Sequence, residues 1–254
     1  MFDTLGQYSL AGRNAIVTGG STGLGLAITR CLVGAGAHVA VISHDESSRD
    51  ALDEFGDAAS FHRFDITDTD HTPEIVERII AERGPVTILV NNAGNHCKKP
   101  IEEMSVEEYV SVLNVHLVGA FALTKALFAH MKFNGGGSVI FQASMTSYIG
   151  QPAVAGYATA KAGYLGLVHT LATEGGPSGV RVNAIAPGWI DTPMFHKATD
   201  TDAPRLNKIL GRIPMSRVGD PMDVGMAAAF LCSDAARYIT GTCLPVDGGA
   251  LIGF

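Results

Sequence analysis

The segment NAIVTGGSTGLGLAITR, residues 14–30, decides the fold class of this chain. Its β-branched start predicts a strand over Asn14–Thr18, and a helical pattern begins at Gly23. Glycines between the two permit a tight turn and let a diphosphate approach the backbone. The unpaired N–H groups and the dipole of the helix N-terminus attract such an anion. The residues predicted to contact a nucleotide here are Gly19, Ser21, Thr22, Gly23, Leu24 and Gly25.

Short apolar runs alternate with longer stretches of helical period along the whole chain. The predicted strands are Asn14–Thr18, His38–Ser43, Ala59–Phe64, Val86–Asn91, Ser138–Ala143, Arg181–Ala186 and Thr242–Val246. The predicted helices are Gly23–Ala35, Arg49–Phe55, Thr72–Arg83, Val106–Met131, Val154–Glu174 and Met222–Ser233. This alternation indicates right-handed βαβ units and a parallel sheet, whose ligands bind beyond the carboxyl ends of the strands.

The composition is that of one compact domain over residues 1–254, with 46% apolar and 17% charged residues. A net charge of −7 without a basic run disfavours nucleic acid as a partner. No apolar run reaches the roughly 18–20 residues that span a bilayer. The first residues, Met1–Arg13, lack the basic and apolar segments of a signal peptide. We therefore expect a cytoplasmic protein without a membrane or nucleic-acid partner.

The four cysteines are predicted to be free thiols. A disulfide pairing is formally open, but a domain of this length needs no such staple. Neither the cysteines nor the histidines fall at zinc-binding spacing, so no metal is expected. The cysteines are Cys31, Cys97, Cys232 and Cys243.

The end of the second predicted strand bears on the choice of nucleotide. An acidic residue there holds the adenosine ribose of NAD, whereas an arginine accepts the 2′-phosphate of NADP. This chain has Ser43 and His44 at that point, and Asp45 follows one or two residues late. Because no Lys or Arg lies in the glycine turn, we expect NAD(H) to be favoured over NADP(H). A protonated His44, or Arg49, would reverse this preference.

The next two strands end in residues suited to the same ligand. Asp65 and Ile66 follow the third strand, where a carboxylate can accept a hydrogen bond from the adenine amino group. The fourth strand runs into Asn92, Ala93 and Gly94, whose small side chains let the backbone pass close to a nucleotide. Both segments are also ordinary turn sequences.

Four polar side chains form the candidate reaction site. Tyr157 and Lys161 are four residues apart on a predicted helix and therefore share one face. An ammonium stabilises a phenolate, so Lys161 is expected to lower the pKa of Tyr157 and make it an acid/base near neutral pH. Ser144, after the fifth strand, can stabilise a developing negative charge. Asn114 lies in the apolar stretch Leu113–Val118, needs a partner and is interpreted as holding a relay water.

In this order the motifs resemble those of the short-chain dehydrogenase/reductase family over essentially the whole chain. Each motif is weak alone, but together on a strand–helix scaffold they are specific. They are Thr18–Gly25, Asn91–Gly94, Asn114, Ser144, Tyr157 with Lys161, Pro187-Gly188, Thr240-Gly241 and Val246–Gly249. The resemblance implies a Rossmann-like, doubly wound sheet of seven parallel strands, a homotetramer, and hydride transfer between a nicotinamide and an alcohol or carbonyl carbon without a metal.

The resemblance also implies roles for individual residues. Tyr157 would be the general acid/base, and Lys161 would lower its pKa and hold the nicotinamide ribose. Ser144 would position the substrate oxygen, and Asn114 would anchor the relay water. Further nucleotide contacts would come from Pro187, Gly188, Ile190 and Thr192, with Thr192 at the nicotinamide amide.

A long connection, residues 188–216, carries three prolines and has weak periodicity, which is typical of a functional segment. We interpret it as a flap over the substrate, with a plain surface excursion as the alternative. The residues expected to face a small-molecule substrate are His96, Lys98, Met145, Gln151, Trp189, Met194, Phe195 and His196. Residues Asn95–Pro100 are similar to the same segment of gluconate and related sugar or polyol dehydrogenases.

Three functions compete at this point, and reduction of steroid or xenobiotic alcohols by a member of the same family is also open. A sugar, sugar-acid or polyol dehydrogenase fits the His, Lys and Gln side chains near the predicted substrate. A 3-oxoacyl carrier-protein reductase of the same family would favour NADPH and a basic docking surface, which the net charge of −7 disfavours. A non-catalytic nucleotide-binding regulator would lack Tyr157, Lys161 or Ser144, and this chain has all three.

Overall fold

Seven parallel strands form one sheet at the centre of this computed structural model, which describes residues 3–253. The strands are β1 (Asn14–Thr18), β2 (His38–Ser43), β3 (Ala59–Arg63), β4 (Val86–Asn91), β5 (Gly137–Gln142), β6 (Val180–Pro187) and β7 (Cys243–Val246). Their order is β3-β2-β1-β4-β5-β6-β7, and every neighbouring pair is parallel. The predicted α/β, Rossmann-like doubly wound sheet is confirmed.

Helices cover both faces of this sheet. They are α1 (Gly23–Gly34), α2 (Thr72–Arg83), α3 (Val106–Leu113), α4 (Ala120–Phe133), α5 (Ala155–Gly175), α6 (Pro193–Thr199), α7 (Ala203–Arg212) and α8 (Pro221–Cys232). Successive strand residues point to opposite faces. On β4, Leu89 packs with α2, α4 and α5, whereas Ile88 and Val90 pack with α1 and α8. Both faces are therefore buried, which explains the apolar runs without alternation.

The strand order reverses between β1 and β4. The chain runs outward from β1 through β2 to β3 and then returns to pair β4 with the other side of β1. Ligands of open parallel sheets bind at such a reversal, outside the carboxyl ends of the strands. Thr18 ends β1 and Asn91 ends β4. The glycine turn and the segment after Asn91 consequently meet at this crevice.

Two predicted helices differ from the structure. The region of Arg49–Phe55 forms 3₁₀ turns over Glu46–Ala58, interrupted at Gly56 with φ +52°. Only Leu52 is buried there, so little tertiary packing sustains a full α-helix. The predicted helix Val106–Met131 extends to Phe133, and six of its residues, Asn114–Gly119, form a π-helical stretch between α3 and α4.

The helical run Val106–Phe133 is, by length and composition, the one helix within residues 3–253 that could cross a membrane. No uninterrupted apolar run crosses this helix, because polar residues such as Lys125 lie within it, but its average hydropathy is high enough to pass by composition. Leu123, Leu127 and Met131 are fully buried against the sheet. The run therefore packs as a core helix in this fold.

The segment of residues 188–216 contains two helices that the sequence analysis did not predict. Pro193 and Pro204 lie in the first turn of α6 and α7. Proline lacks an N–H that this position would leave unpaired, so both prolines start helices instead of ending them. Ile209 and Ile213 pack beside Met145, which follows β5. The segment thus covers the carboxyl edge of the sheet at β5.

Gly225 of α8 gives a test of the α1–α8 contact. A Cβ at this position would lie 2.6 Å from the carbonyl oxygen of Ala27 and 2.6 Å from Sγ of Cys31. We expect Gly225→Ala to separate the helices and to lower the free energy of unfolding by about 1–3 kcal/mol. Chemical denaturation measures this change. In the control, Gly34→Ala, the new methyl meets nothing within 4 Å and should leave stability unchanged or slightly raised; equal effects would contradict the packing argument.

Candidate active site

The turn after β1 is joined to the end of β4 by the Thr18 side chain. Its hydroxyl oxygen accepts hydrogen bonds from the N–H groups of Asn92 and Ala93, both at 2.9 Å. The Asn92 side-chain amide donates in return to the carbonyl oxygens of Thr18, at 3.0 Å, and Gly19, at 3.2 Å. The two predicted nucleotide segments are therefore held together as one rigid edge.

The glycines of the turn have separate structural causes. Gly19 and Gly23 have φ of +62° and +50°, which favour glycine. A Cβ on Gly25 would lie 2.0 Å from the Gly19 carbonyl oxygen, so only glycine lets α1 approach the turn. The Thr22 N-cap side chain makes no capping hydrogen bond to α1. The first N–H groups of α1 thus remain available to an anion, and the turn fits a nucleotide diphosphate.

The last residue of β2, Ser43, presents a hydroxyl group where a carboxylate would hold the adenosine ribose of NAD. The Ser43 hydroxyl accepts a hydrogen bond from the Asp45 N–H at 3.2 Å. Asp45 itself accepts from the Ser47 hydroxyl and N–H, and these bonds lower the pKa of its carboxyl group. Ser48 and Ser21 share a hydrogen bond of 2.6 Å across the turn. Asp45 is therefore engaged in its own loop, beside an exposed His44.

Asp65 and Ile66 have different roles in the structure. The Asp65 carboxylate accepts from the Thr67 N–H and hydroxyl, and the backbone bond is the largest cause that lowers the Asp65 pKa. Asp65 is exposed, so its second oxygen can face a ligand. Ile66 is buried, and a Cβ on Gly119 would lie 2.6 Å from its carbonyl oxygen. Ile66 thus packs against the π-helical stretch.

Ser144, Tyr157 and Lys161 come together after β5, as their spacing predicts. Lys161 is fully packed away from solvent, and its ammonium donates a hydrogen bond to the Gln142 carbonyl oxygen. The ammonium lies 5.4 Å from the centre of the Tyr157 ring. The Ser147 hydroxyl donates to the Lys161 carbonyl oxygen at 2.7 Å and ties this turn to α5. The three polar side chains therefore share one buried corner.

The electrostatics of this corner differ from the expectation. Burial raises the pKa of the Tyr157 phenol, and a hydrogen bond with Ser144 opposes this shift only in part. Burial also lowers the pKa of Lys161 to about 7. The expected lowering of the phenol pKa by Lys161 is therefore not found in this geometry. A raised pKa keeps the phenol protonated at neutral pH, which suits proton donation to a carbonyl oxygen.

Asn114 does not reach this corner. It is exposed and lines a surface hollow with Thr67 and Val110. His116, two residues further along the π-helical stretch, is buried and lies edge-on to the Tyr157 ring, with 5.5 Å between ring centres. The widened helical turn decides which polar residue of the apolar stretch faces inward. Sequence analysis missed His116, although a histidine within Leu113–Val118 is as anomalous as an asparagine.

Several buried polar atoms near the site have no hydrogen-bond partner among residues 3–253. They are Oδ1 of Asn91, Nδ1 of His116, Oγ1 of Thr146 and both amide atoms of Gln142. Buried polar atoms in native proteins normally find a partner in protein, water or ligand. These atoms lie at or just beyond the carboxyl ends of β4 and β5 and in the π-helical stretch, which is consistent with a site that a polar ligand completes.

The residues expected to face the substrate divide into three groups. His96 lies 5.1 Å from Tyr157, ring centre to ring centre, at the mouth of the site. The side chains of Met145, Trp189 and Phe195 belong to the apolar cluster beneath α6 and α7. The exposed residues are Lys98, Gln151 and His196. Nothing is described for the side chain of Met194.

The remaining predicted nucleotide contacts, Pro187, Gly188, Ile190 and Thr192, lie from the end of β6 to the start of α6. Thr192 is the N-cap of α6 and accepts a hydrogen bond from the Phe195 N–H. A Cβ on Gly188 would lie 2.8 Å from Cα of Asp247, so glycine lets the end of β6 pass the last motif. Pro187 ends β6, and the buried Ile190 bridges to Gly219. His196 is held between the carboxylates of Asp191 and Asp200.

A glycine turn at the strand reversal, facing a buried Tyr–Lys–Ser group, defines a nicotinamide-dependent oxidoreductase. The family model described as "Enoyl-(Acyl carrier protein) reductase" matches residues 19–250. The chain belongs to the short-chain dehydrogenase/reductase family.

Three relatives illustrate the similarity. The 3-oxoacyl-[acyl-carrier-protein] reductase FabG of Chlamydia muridarum is 36% identical over 245 residues, which cover 94% of this chain and 98% of that protein. The 2-dehydro-3-deoxy-D-gluconate 5-dehydrogenase of Bacillus subtilis is 37% identical over 247 residues, covering 96% of each. A gluconate 5-dehydrogenase from Burkholderia cenocepacia, solved with NADP and tartrate, has a TM-score of 0.93 and 29% identity, covering 99% of this chain and 100% of that one.

The Thr18 contact predicts a specific loss. Thr18→Val removes the acceptor for two N–H groups at a side chain that is 1% exposed. Leaving such groups unpaired should lower the free energy of unfolding by about 1–3 kcal/mol and weaken nucleotide binding. Denaturant titration and nucleotide affinity measure the two effects. Thr18→Ser keeps the hydroxyl and serves as the control; indistinguishable valine and serine variants would show that these bonds are unimportant.

Proposed function

We propose that this chain transfers a hydride between a nicotinamide nucleotide and a secondary alcohol or ketone of a sugar, sugar acid or polyol. The observation that carries this proposal is the position of the Tyr157 phenol, beside Ser144, between the Lys161 ammonium and His96. A bound nicotinamide supplies or accepts the hydride. The protein then has to move one proton at the substrate oxygen, and Tyr157 is the group placed to do so.

Each residue of the corner has a role in this proposal. Tyr157 donates its phenolic proton during reduction and takes it back during oxidation. Ser144 positions the substrate oxygen and stabilises charge on it as the bond to hydrogen changes. Lys161 holds the nicotinamide ribose, and its buried ammonium favours the phenolate once Tyr157 has given up the proton. The N–H groups of α1 and the clamped turn at Thr18 hold the diphosphate.

The sugar-acid assignment rests on the polar mouth of the site. His96 faces Tyr157, and Lys98 and Gln151 are exposed on neighbouring loops. These side chains suit hydroxyl and carboxylate groups. The relatives from Bacillus subtilis and Burkholderia cenocepacia named above, which act on gluconate derivatives, support it. Residues 188–216 would close over the substrate, because α7 already packs on Met145.

The second candidate is reduction of a 3-oxoacyl carrier protein. The apolar cluster of Met145, Trp189 and Phe195 suits an acyl chain, and the similarity to FabG supports this alternative. The net charge of −7 disfavours docking of an acidic carrier protein. We therefore rank it below the sugar-acid assignment.

Turnover of a substrate panel decides between the two. We expect the purified protein to reduce a nicotinamide nucleotide with sugar acids, polyols or aldoses, followed by the absorbance of the reduced nicotinamide. Reduction of a 3-oxoacyl thioester, with no reaction on sugars, would transfer the chain to fatty-acid chemistry.

Tyr157→Phe removes the proton donor, so it should lower kcat roughly 10²–10⁴-fold and leave nucleotide affinity nearly unchanged.

The control for this variant is Tyr238→Phe, which alters a fully exposed tyrosine far from the proposed chemistry. It should retain wild-type turnover. Full activity of Tyr157→Phe would remove the assignment of the acid/base, whatever substrate the panel identifies.

The nucleotide preference follows from the end of β2. The initial expectation was NAD(H) over NADP(H), but the comparisons give it no support, and the Burkholderia cenocepacia relative was solved with NADP. Ser43 provides no carboxylate to repel a 2′-phosphate, and the glycine turn provides no cation to attract one. We propose that the chain accepts both nucleotides, with exposed His44 and Arg49 nearest to the phosphate.

A carboxylate at position 43 should impose a preference. In Ser43→Asp the new charge can accept hydrogen bonds from the ribose hydroxyls and repel the 2′-phosphate. We expect the affinity for NADP⁺ to fall roughly tenfold or more relative to NAD⁺, as measured by calorimetric titration of both nucleotides. Ser43→Asn has the same shape without the charge and should change the ratio little. An unchanged ratio in the aspartate variant would place the ribose away from Ser43.

The same proposal includes the assembly and the compartment. We propose a cytoplasmic homotetramer without nucleic-acid or membrane partners. The exposed apolar side chains along the helical run Val106–Phe133 support self-association, since such a stripe commonly marks an interface. They are Val106, Val110, Val118 and Phe121. The four free cysteines are those expected of a reducing compartment.

A further inference from the structure

His116 is a buried histidine at the reaction site that no sequence motif indicated. Its side chain is 2% exposed, and its ring stands nearly perpendicular to the Tyr157 ring, with an angle of 84° between planes. The Tyr164 hydroxyl donates to its carbonyl oxygen at 2.6 Å. Because His116 lies in the π-helical stretch, the widened turn presents its ring inward. Such π turns often occur at functional sites.

The contacts of His116 determine its tautomer. Nε2 lies 2.9 Å from the carbonyl oxygen of Asn95, and a carbonyl can only accept, so Nε2 carries the hydrogen. Burial lowers the pKa of His116 to about 3, which keeps the ring neutral. Nδ1 is therefore a free lone pair, and it is one of the buried atoms with no partner in the part of the chain described.

Gly94 shows that the fold makes room for this ring. A Cβ on Gly94 would lie 2.2 Å from Cε1 of His116 and 3.0 Å from each ring nitrogen. The sequence predicts that Gly94 lets the protein backbone pass close to a nucleotide. In the structure, the His116 imidazole occupies the space that a side chain at position 94 would need.

Lys161 has hydrogen-bonding capacity that matches this lone pair. An ammonium has three N–H donors, and the described partner of Lys161 is the Gln142 carbonyl oxygen. Lys161 and His116 flank the same Tyr157 ring, and the Lys161 charge is among the causes of the lowered His116 pKa. A water molecule between the two would accept from the ammonium and donate to Nδ1.

We propose that His116 is a positioning residue for proton transfer, holding through Nδ1 a water molecule hydrogen-bonded to Lys161. It takes the place that the sequence analysis gave to Asn114. The ring does not itself carry the proton, because protonation would create a second buried cation beside Lys161. The inference rests on the proposed function, since the positioned water matters only if Tyr157 exchanges its proton through this corner.

The protonation state of His116 can be followed by NMR, and the titratable groups that face its ring come from two elements. From α5 they are Tyr157, Lys161 and Tyr164, and from the loop after β4 the facing group is His96. We expect the ¹⁵N spectrum of histidine-labelled protein to show His116 as the neutral Nε2–H tautomer, unchanged across the pH range around neutrality. Assignment uses the loss of its signal in His116→Asn. An Nδ1–H tautomer, or titration in that range, would overturn the proposal without any assay of activity.

Two substitutions separate the two ring nitrogens. The amide of asparagine can replace Nδ1 but cannot reach the Asn95 carbonyl, whereas the longer glutamine amide replaces Nε2 and loses the Nδ1 acceptor. We expect His116→Asn to keep most of kcat and His116→Gln to lower it roughly tenfold or more, with nucleotide affinity unchanged in both. Without the Nδ1 acceptor, the water bound to Lys161 is held less well, which disfavours the Lys161 ammonium and lowers its pKa. The loss of reduction activity with rising pH should therefore begin at lower pH in His116→Gln.

The opposite pattern would assign a merely structural role. A larger loss in His116→Asn, or equal effects of both substitutions, would mean that the bond to Asn95 or the ring volume is what matters. His169→Gln on the exposed face of α5 controls for the substitution itself, and thermal melting verifies folding. The outcomes also separate the two proposals. Full activity of Tyr157→Phe removes the proposed function, whereas an inactive Tyr157→Phe with an unaffected His116→Gln removes only the role of His116.

Discussion

The hydrogen bonds between the Thr18 hydroxyl and the segment after β4 are the contact on which the rest of the site depends. The fold places β1 and β4 side by side although the 67 residues from 19 to 85 lie between the two strands, and their carboxyl ends open a crevice. One buried hydroxyl accepts two N–H groups there, and the Asn92 amide returns two bonds. This contact joins the turn proposed to receive the diphosphate to the segment after β4, so the two parts of the proposed nucleotide site are hydrogen-bonded to each other.

Burial is the second constraint, and it acts on every ionisable group of the reaction corner. It raises the pKa of Tyr157, lowers that of Lys161 to about 7 and lowers that of His116 to about 3. All three shifts favour the neutral form, because an uncompensated charge is costly away from water. Burial therefore opposes charge on all three groups, and hydrogen bonds that the Lys161 ammonium donates, such as that to the Gln142 carbonyl oxygen, offset the cost of its charge.

The proline-containing connection of residues 188–216 is helical in the structure and covers the reaction corner. Prolines in residues 188–216 start α6 and α7, whose apolar side chains cover Met145 and Trp189 next to the catalytic corner. The His96 ring lies 5.1 Å from the Tyr157 ring, and the apolar cover packs on Met145, the residue after Ser144. A substrate with both a polar end and a reducible carbonyl would use both surfaces, which is why two substrate classes compete.

Local sequence determined the strands, the glycine turn and the Tyr157–Lys161 pair, because each depends on spacing within one element or one turn. The register of the six strand pairings is something that periodicity cannot supply, yet the apolar runs themselves located every strand to within a residue or two. Packing decided what spacing could not: a π-helical stretch turned Asn114 outward and His116 inward, and desolvation outweighed the expected effect of Lys161 on the phenol. These outcomes depend on neighbours distant in the chain, which only the tertiary structure brings together.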